Sequence, residues 1–244
     1  MNQGKDFKKF ANSMGINSMT LHDIQSVSDS YISPSIIEER KLNVAVMSVF
    51  DRLMMDRIIF LGTGIDDYVA NVIQAQLLFL QNSSNDDVTI QLNSGGGSVT
   101  AGLAIIDVMN YVKSDIVTIN TGMCASMASV ILSSGTPGKR YALIHSKVMT
   151  HMVSHGISGN VQDTRIDQLE AEKYNYILFK NLAKNCKKPF DEVLNSSRHN
   201  NWFTSDEALN FGLIDNIIDV DENNNITKML EGFDEYYNKE VLGK

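Results

Sequence analysis

Cysteine is scarce. The 244 residues hold two, Cys124 and Cys186, with no CxxC motif and no Cys/His ligand spacing. That supports neither a disulfide framework nor a cysteine-based zinc site, and a reducing cytoplasm fits, as would an organelle matrix. Clusters of Lys and Arg are lacking too. With 21 basic residues against 29 acidic ones, a formal charge of -8, the chain carries no footprint for a polyanion, and nucleic acid is not an expected partner. No apolar run reaches the roughly 18–20 residues that a bilayer crossing needs, and the opening MNQGKDFKKFANSMG has no apolar signal region. A soluble protein without a membrane partner is expected.

What is present is a 43% hydrophobic chain, long enough to bury one substantial core. Ser35 and Glu38 form a capping-box pair, and Ile36, Val44, Met47, Phe50 and Met54 follow at helical spacing, which predicts an amphipathic leading helix. Three units then repeat a β-rich run, a turn and a helical stretch: RIIFLG before IDDYVANVIQAQLLFLQ, VTIQLNS before GGGSVTAGLAIIDVMNYVK, and IVTINTG before CASMASVILSS. Such alternation argues for parallel strands joined by crossover helices. After GTPGKR come two β-like pieces, YALI and KVMTHMV, then a long polar-faced helix from about 163 to 184. A shorter helix follows Pro189. A last helix starts at Thr204, with Glu207 as capping-box partner, and stops at Gly212 before the strand LIDNIID. The chain is read as an extension over 1–32, a domain over 33–220 and a C-terminal tail over 221–244.

Parallel strand-helix units bring their turns together at the carboxyl ends of the strands. Two turns become neighbours here. NSGGGS, from Asn93 to Ser98, can expose backbone N–H groups without side chains in the way. TGMCASMAS sets Ser126 among small residues at a strand-to-helix turn, the geometry of a nucleophile beside an oxyanion hole. Taken alone, these turns read more readily as a helix cap and a plain glycine turn.

A base is still required, and His145, His151 and His155 lie close in sequence. Extended chain separates His145 from His151 by roughly 20 Å, so one of them at most serves Ser126. His151 lies inside the apolar run VMTHMV, whereas His145 opens the segment and His155 adjoins Gly156 in a loop. A lone histidine in an apolar strand is more often structural; its pairing with Ser126 raises the catalytic reading. Other uses of the glycines fail. LGTGIDDYVA has Asp67 where a dinucleotide fingerprint has its third glycine, and neither GGGS nor GTPGKR has Walker spacing.

Together RIIFLG, the IDD turn, VANVIQAQLLFL, GGSVTAGLAI, ASM, GKRYAL, the VM-x-H run and EA-x-x-x-GLID resemble, in order and separation, the proteolytic-subunit family of the Clp protease, ClpP, over roughly 33–219. The resemblance implies an α/β fold, a ClpP/crotonase-like spiral of repeated β-β-α units with a protruding handle helix after Asp163. It implies Ser126 as nucleophile, His151 as base, Asn200 at the position of the family's acid, and the N–H groups of Gly97 and Met127 as oxyanion hole. Gly95, Gly96 and Ser98 would bind substrate by backbone pairing. The implied activity is a serine endopeptidase that degrades unfolded polypeptides to short peptides inside a chamber of two stacked heptameric rings, homo- or hetero-oligomeric. A Clp-type AAA+ unfoldase and a second ClpP-type subunit are the implied partners, the implied peptidase has no cofactor of its own, and 1–32 would be a propeptide or axial segment.

Several positions depart from that pattern. Asn200 has lost the acid's charge, Gly95 replaces a proline, and Met152 and Val153 replace Gln-Pro after the histidine. Arg198 and His199 stand where the family has Asp-Arg, and Thr89 and Gln91 where tyrosines commonly line the unfoldase pocket. These point to a specialised paralogue. An active but slow peptidase is therefore weighed against a weakly active or noncatalytic paralogue that assembles with and regulates a second peptidase subunit. A crotonase-type acyl-CoA enzyme would leave Ser126 and His151 idle.

Overall fold

The computed structural model describes residues 35–40, 43–156, 158–218 and 226–241. They fall into two compact units divided between Arg52 and Leu53.

In the first unit, strands β1 (Ser35–Arg40) and β2 (Asn43–Ser48) form an antiparallel hairpin in which Ser35 faces Ser48 and Arg40 faces Asn43. The leading helix read from the sequence is corrected here: among its described residues only α1 (Val49–Met55), which crosses the division between the two units, is helical. The physical reason lies in Ile36, Ile37, Val44 and Val46, whose β-branched side chains favour a pleated ribbon, and in pairing across a very short connection. The reciprocal cap that opens α1 is Ser48 with Asp51, each N–H donating to the other's side-chain oxygen, at 3.3 Å and 3.0 Å.

The second unit is built on a seven-stranded sheet. Strands β3 (Ile58–Leu61), β4 (Val88–Ser94), β5 (Ile116–Ala125), β6 (Arg140–Leu143) and β9 (Asn216–Ile218) are parallel neighbours in that order. Helices α2 (Asp67–Ser83), α3 (Val99–Tyr111) and α4 (Met127–Ser133) follow β3, β4 and β5, as the three sequence units require. Each buries one apolar stripe, for α2 Ala70, Ile73, Leu77 and Leu80. The short α4 is buried on all sides. With Ile59, Ile90, Leu92, Ile105 and Phe179 these side chains form one continuous core.

β5 is long enough to serve two neighbours. Thr118 to Asn120 pair with β6, and Met123 to Ala125 with β7 (Lys147–Thr150). Fully buried Asn120 stitches the changeover, its Nδ2 donating to the Lys147 carbonyl at 2.9 Å while its Oδ1 accepts from the Gly122 N–H. A register shift against β4 falls at the same place, between Leu92 and Ser94. β8 (Asn201–Phe203) then pairs antiparallel to β7, with Thr150 facing Asn201.

The long helix is α5 (Val161–Cys186), capped by Asn160, whose side chain accepts from the Gln162 and Asp163 N–H groups. Its buried residues all lie from Ala171 onward. α6 (Phe190–Ser196) follows Pro189. α7 (Ser205–Phe211) has the expected Thr204–Glu207 capping box and ends at Gly212, which has φ 92°. Short helices α8 (Ile226–Met229) and α9 (Phe233–Tyr236) lie in the region read as tail. No helix among the described residues is long and apolar enough to cross a membrane. Residues 1–32, read as an extension, lie outside the described residues.

Buried Arg140 ties several of these ends together. Its guanidinium donates to both Asp215 carboxylate oxygens, at 2.8 and 2.5 Å, and to the carbonyls of Ser133, Asn185 and Gly212. Those carbonyls lie at the ends of α4, α5 and α7, where helices leave acceptors unpaired.

Candidate active site

β5 runs straight into α4, and Ser126 is the single residue between them. It has φ 54° and ψ −126°, a conformation an L-residue adopts only under constraint. The constraint is local: its N–H donates to the Met149 carbonyl at 2.9 Å, and its own carbonyl accepts from Ser129 Oγ at 2.6 Å. Its side chain makes no capping bond to α4. That removes the plain helix-cap reading and leaves Oγ directed at its neighbour across the cleft.

That neighbour is His151. Two residues beyond Met149, its Nε2 lies 2.8 Å from Ser126 Oγ. His145 and His155 are exposed and make no such contact. For Nε2 to accept the serine proton, the ring must carry its own proton on Nδ1, and no acceptor for that N–H is found among the described residues.

The glycine loop packs directly beneath the serine. A Cβ on Gly96 would lie 2.6 Å from the Ala125 carbonyl oxygen and 2.8 Å from Ser126 Cβ, and one on Gly97 would lie 2.1 Å from the Ile65 carbonyl oxygen. Both positions also have positive φ, 92° and 154°, so glycine is required twice over. The Ile65 N–H donates to Gly96 O and the Ile65 carbonyl accepts from the Ser98 N–H. By strand alternation the Gly97 N–H faces away from Ile65. Met127 N–H opens α4 and has no intrahelical acceptor. Gly95 is exposed, and Ser98 caps α3 by accepting from the Ala101 N–H.

A cleft of about 210 Å³ opens beside the pair, lined by Gly97, Ser126 and His151 and walled by Val99, Val130, Leu178, Phe179 and Leu182. The last three come from α5, a contribution that the sequence reading did not foresee. Asn200 stands just before β8, exposed, with no hydrogen bond to His151. Also missed were two ties on either side of the base: Thr150 Oγ1 to Ser197 Oγ at 2.9 Å, both buried, and the Val153 N–H to Asn175 Oδ1 at 2.8 Å. Asn175 had a legible signal, as a polar residue on the helical stripe of Ala171, Leu178, Phe179 and Leu182. Cys124, two residues before Ser126, is not a rival nucleophile, because burial pushes its thiol far above the ordinary range and keeps it protonated. Thr89 and Gln91 are half-buried on β4, beside Ile58 and Phe60 of β3.

A constrained serine at a strand-to-helix turn, with an imidazole on its hydroxyl and unpaired amides beside it, defines a serine hydrolase on an α/β sheet. Sequence comparison specifies the class further. The family model described as Clp protease matches residues 40–221. An ATP-dependent Clp protease proteolytic subunit of Porphyromonas gingivalis is 51% identical over 216 residues, covering 88% of this chain and 97% of the relative. Relatives of the same description from Bacteroides fragilis and Bacteroides thetaiotaomicron are 47% and 46% identical over 215 residues, each covering 87% of this chain and 98% of the relative. The chain belongs to the Clp protease family, and it is a serine endopeptidase.

Proposed function

We propose that the chain is the cutting subunit of an ATP-dependent Clp-type protease and degrades unfolded polypeptides inside a chamber of two heptameric rings, fed by an AAA+ unfoldase in the cytoplasm. The peptidase domain spans 33–220, and the tail over 221–244 lies outside it. Ser126 Oγ attacks the scissile carbonyl while His151 Nε2 takes its proton. The N–H groups of Gly97 and Met127 receive the oxyanion. His151 then returns the proton to the leaving amine, and water releases the acyl group by the same steps. Gly95, Gly96 and Ser98 hold the substrate backbone, and the cleft walled by Val99, Val130 and Leu178 takes an apolar side chain.

The observation that carries this reading is the 2.8 Å contact between Ser126 Oγ and His151 Nε2. A serine-reactive fluorophosphonate tests it. Ser126 of the purified full chain becomes labelled, and Ser126→Ala abolishes both labelling and hydrolysis of a short peptide while leaving assembly intact. Turnover by the alanine variant equal to wild type would overturn it.

The exposed, unbonded Asn200 favours a second reading: a weakly active or noncatalytic paralogue that regulates a second ClpP-type subunit. Absence of labelling, together with activation of a partner peptidase on mixing, would select it.

A further inference from the structure

We propose that Asn175, on the helix that forms one wall of the cleft, is a positioning residue that holds His151 in register with Ser126 through the backbone of Val153. The inference rests on the serine-peptidase reading and assigns a residue to the same site.

Asn175 is 7% exposed and shares its face of α5 with Ala171, Leu178, Phe179 and Leu182. An amide on an apolar stripe carries a desolvation cost unless it is bonded, and asparagine is a weaker helix former than the Ala171, Leu178 and Leu182 that share its face. The partner is specific: the Val153 N–H donates to Asn175 Oδ1 at 2.8 Å. Residues 152–156 make no other hydrogen bond among those described. After β7 ends at Thr150, the chain that carries the base is therefore tied down at one point, two residues past His151.

That tie matters because the ring has little else to orient it. Its Nε2 is on Ser126 Oγ, and no described side chain accepts from its Nδ1. The imidazole must take its direction from the backbone, fixed before it by the Thr150–Ser197 pair and after it by Asn175. Release of the second tie lets the segment drift, and small misplacements of a catalytic group are costly in rate. The cleft walls come from the same helix but do not depend on this bond, so substrate binding should change little.

The test is a double-mutant cycle on the purified full chain, read as kcat and KM for one fluorogenic peptide, with assembly checked by sedimentation. Asn175→Leu removes the acceptor and should lower kcat by roughly 10- to 100-fold with KM within about twofold. Asn175→Asp keeps an acceptor oxygen in place and should restore most of kcat. Val153→Pro deletes the donor, and in that background Asn175→Leu should cost less than about twofold, since the coupled bond is already gone. An unchanged kcat in Asn175→Leu, an equal loss in both backgrounds, or no rescue by Asp would each overturn the proposal. Fluorophosphonate labelling of the wild type separates the two readings: an unlabelled Ser126 overturns the peptidase reading, whereas a labelled enzyme indifferent to Asn175 overturns only this one.

Discussion

At Ser126 the backbone sits in a region that costs of order 1–3 kcal/mol, and the Met149 carbonyl and the Gly96–Gly97 loop hold it there. What the constraint gains is a hydroxyl already on the imidazole. The same scale shows what the site lacks. β7 and β8 pair Thr150 with Asn201, so one more step of the ladder would set His151 opposite Asn200, with Cβ atoms about 5 Å apart. The ladder stops short, and Asn200 makes no bond across it. An amide there could orient the ring but could not stabilise the imidazolium that forms as Ser126 attacks. Asn200→Asp should therefore raise kcat at neutral pH by about tenfold or more. Steady-state hydrolysis of one peptide by both forms, at equal assembly, checks this. An Asp variant no faster than wild type would mean that another group supports His151 or that chemistry does not limit turnover.

The elements around the site are tied at their ends more than along their lengths. Burial alone would raise the Asp215 carboxyl, but the hydrogen bonds and charge of Arg140, helped by the N–H groups of Arg140 and Gly138, hold it below the ordinary range. In the unfolded chain this carboxyl takes up its proton first, near pH 3.9. Its contribution to stability is thus complete above that pH and is lost as pH falls through the lowered folded value. Asp215→Ala strands a buried guanidinium and should cost about 3 kcal/mol or more, lowering Tm by roughly 6–12 °C, and it should flatten the acid limb of a Tm-against-pH curve. A variant melting with the wild type across that range would show the pair to be dispensable. The sequence was most legible where periodicity ran long: α5, although its start was read at about 163 rather than just after Asn160, the Thr204–Glu207 box, and the three strand-helix units each have a stripe or a cap that fixes them locally. It misled at Ser35–Ser48, where sparse apolar positions satisfied a helical template although the β-branched residues suited a hairpin. It was silent on β8, three residues whose strand character comes only from β7 beside them. Val153 stood out only as a departure from the family pattern. That it supplies an N–H, and that Asn175 receives it, depends on two segments meeting in space.

For the whole molecule, the telling feature is the first half of α5. None of residues 161–170 is buried, and Val161, Ile166 and Leu169 are 66%, 59% and 57% exposed. Ten residues extend about 15 Å, and a helical segment of that length is marginal in water without a packing partner. Apolar side chains displayed on it, continued by Ile177 further along, suit a facing copy of the same helix, which is the isologous contact that would join two rings across a two-fold axis. The cleft draws one wall from the buried half of this helix, so a contact between rings made through its first half would share one rigid element with the site. Ile166→Glu with Leu169→Glu places like charges at the centre of such a contact while touching no core residue. The purified double variant should sediment at half the mass of the wild-type particle, as a single ring, with its monomer fold unchanged by circular dichroism. Higher salt should partly restore the larger species by screening the added charge. A variant that sediments with the wild type at micromolar concentration, or a wild type that is itself monomeric, would show that α5 does not join rings.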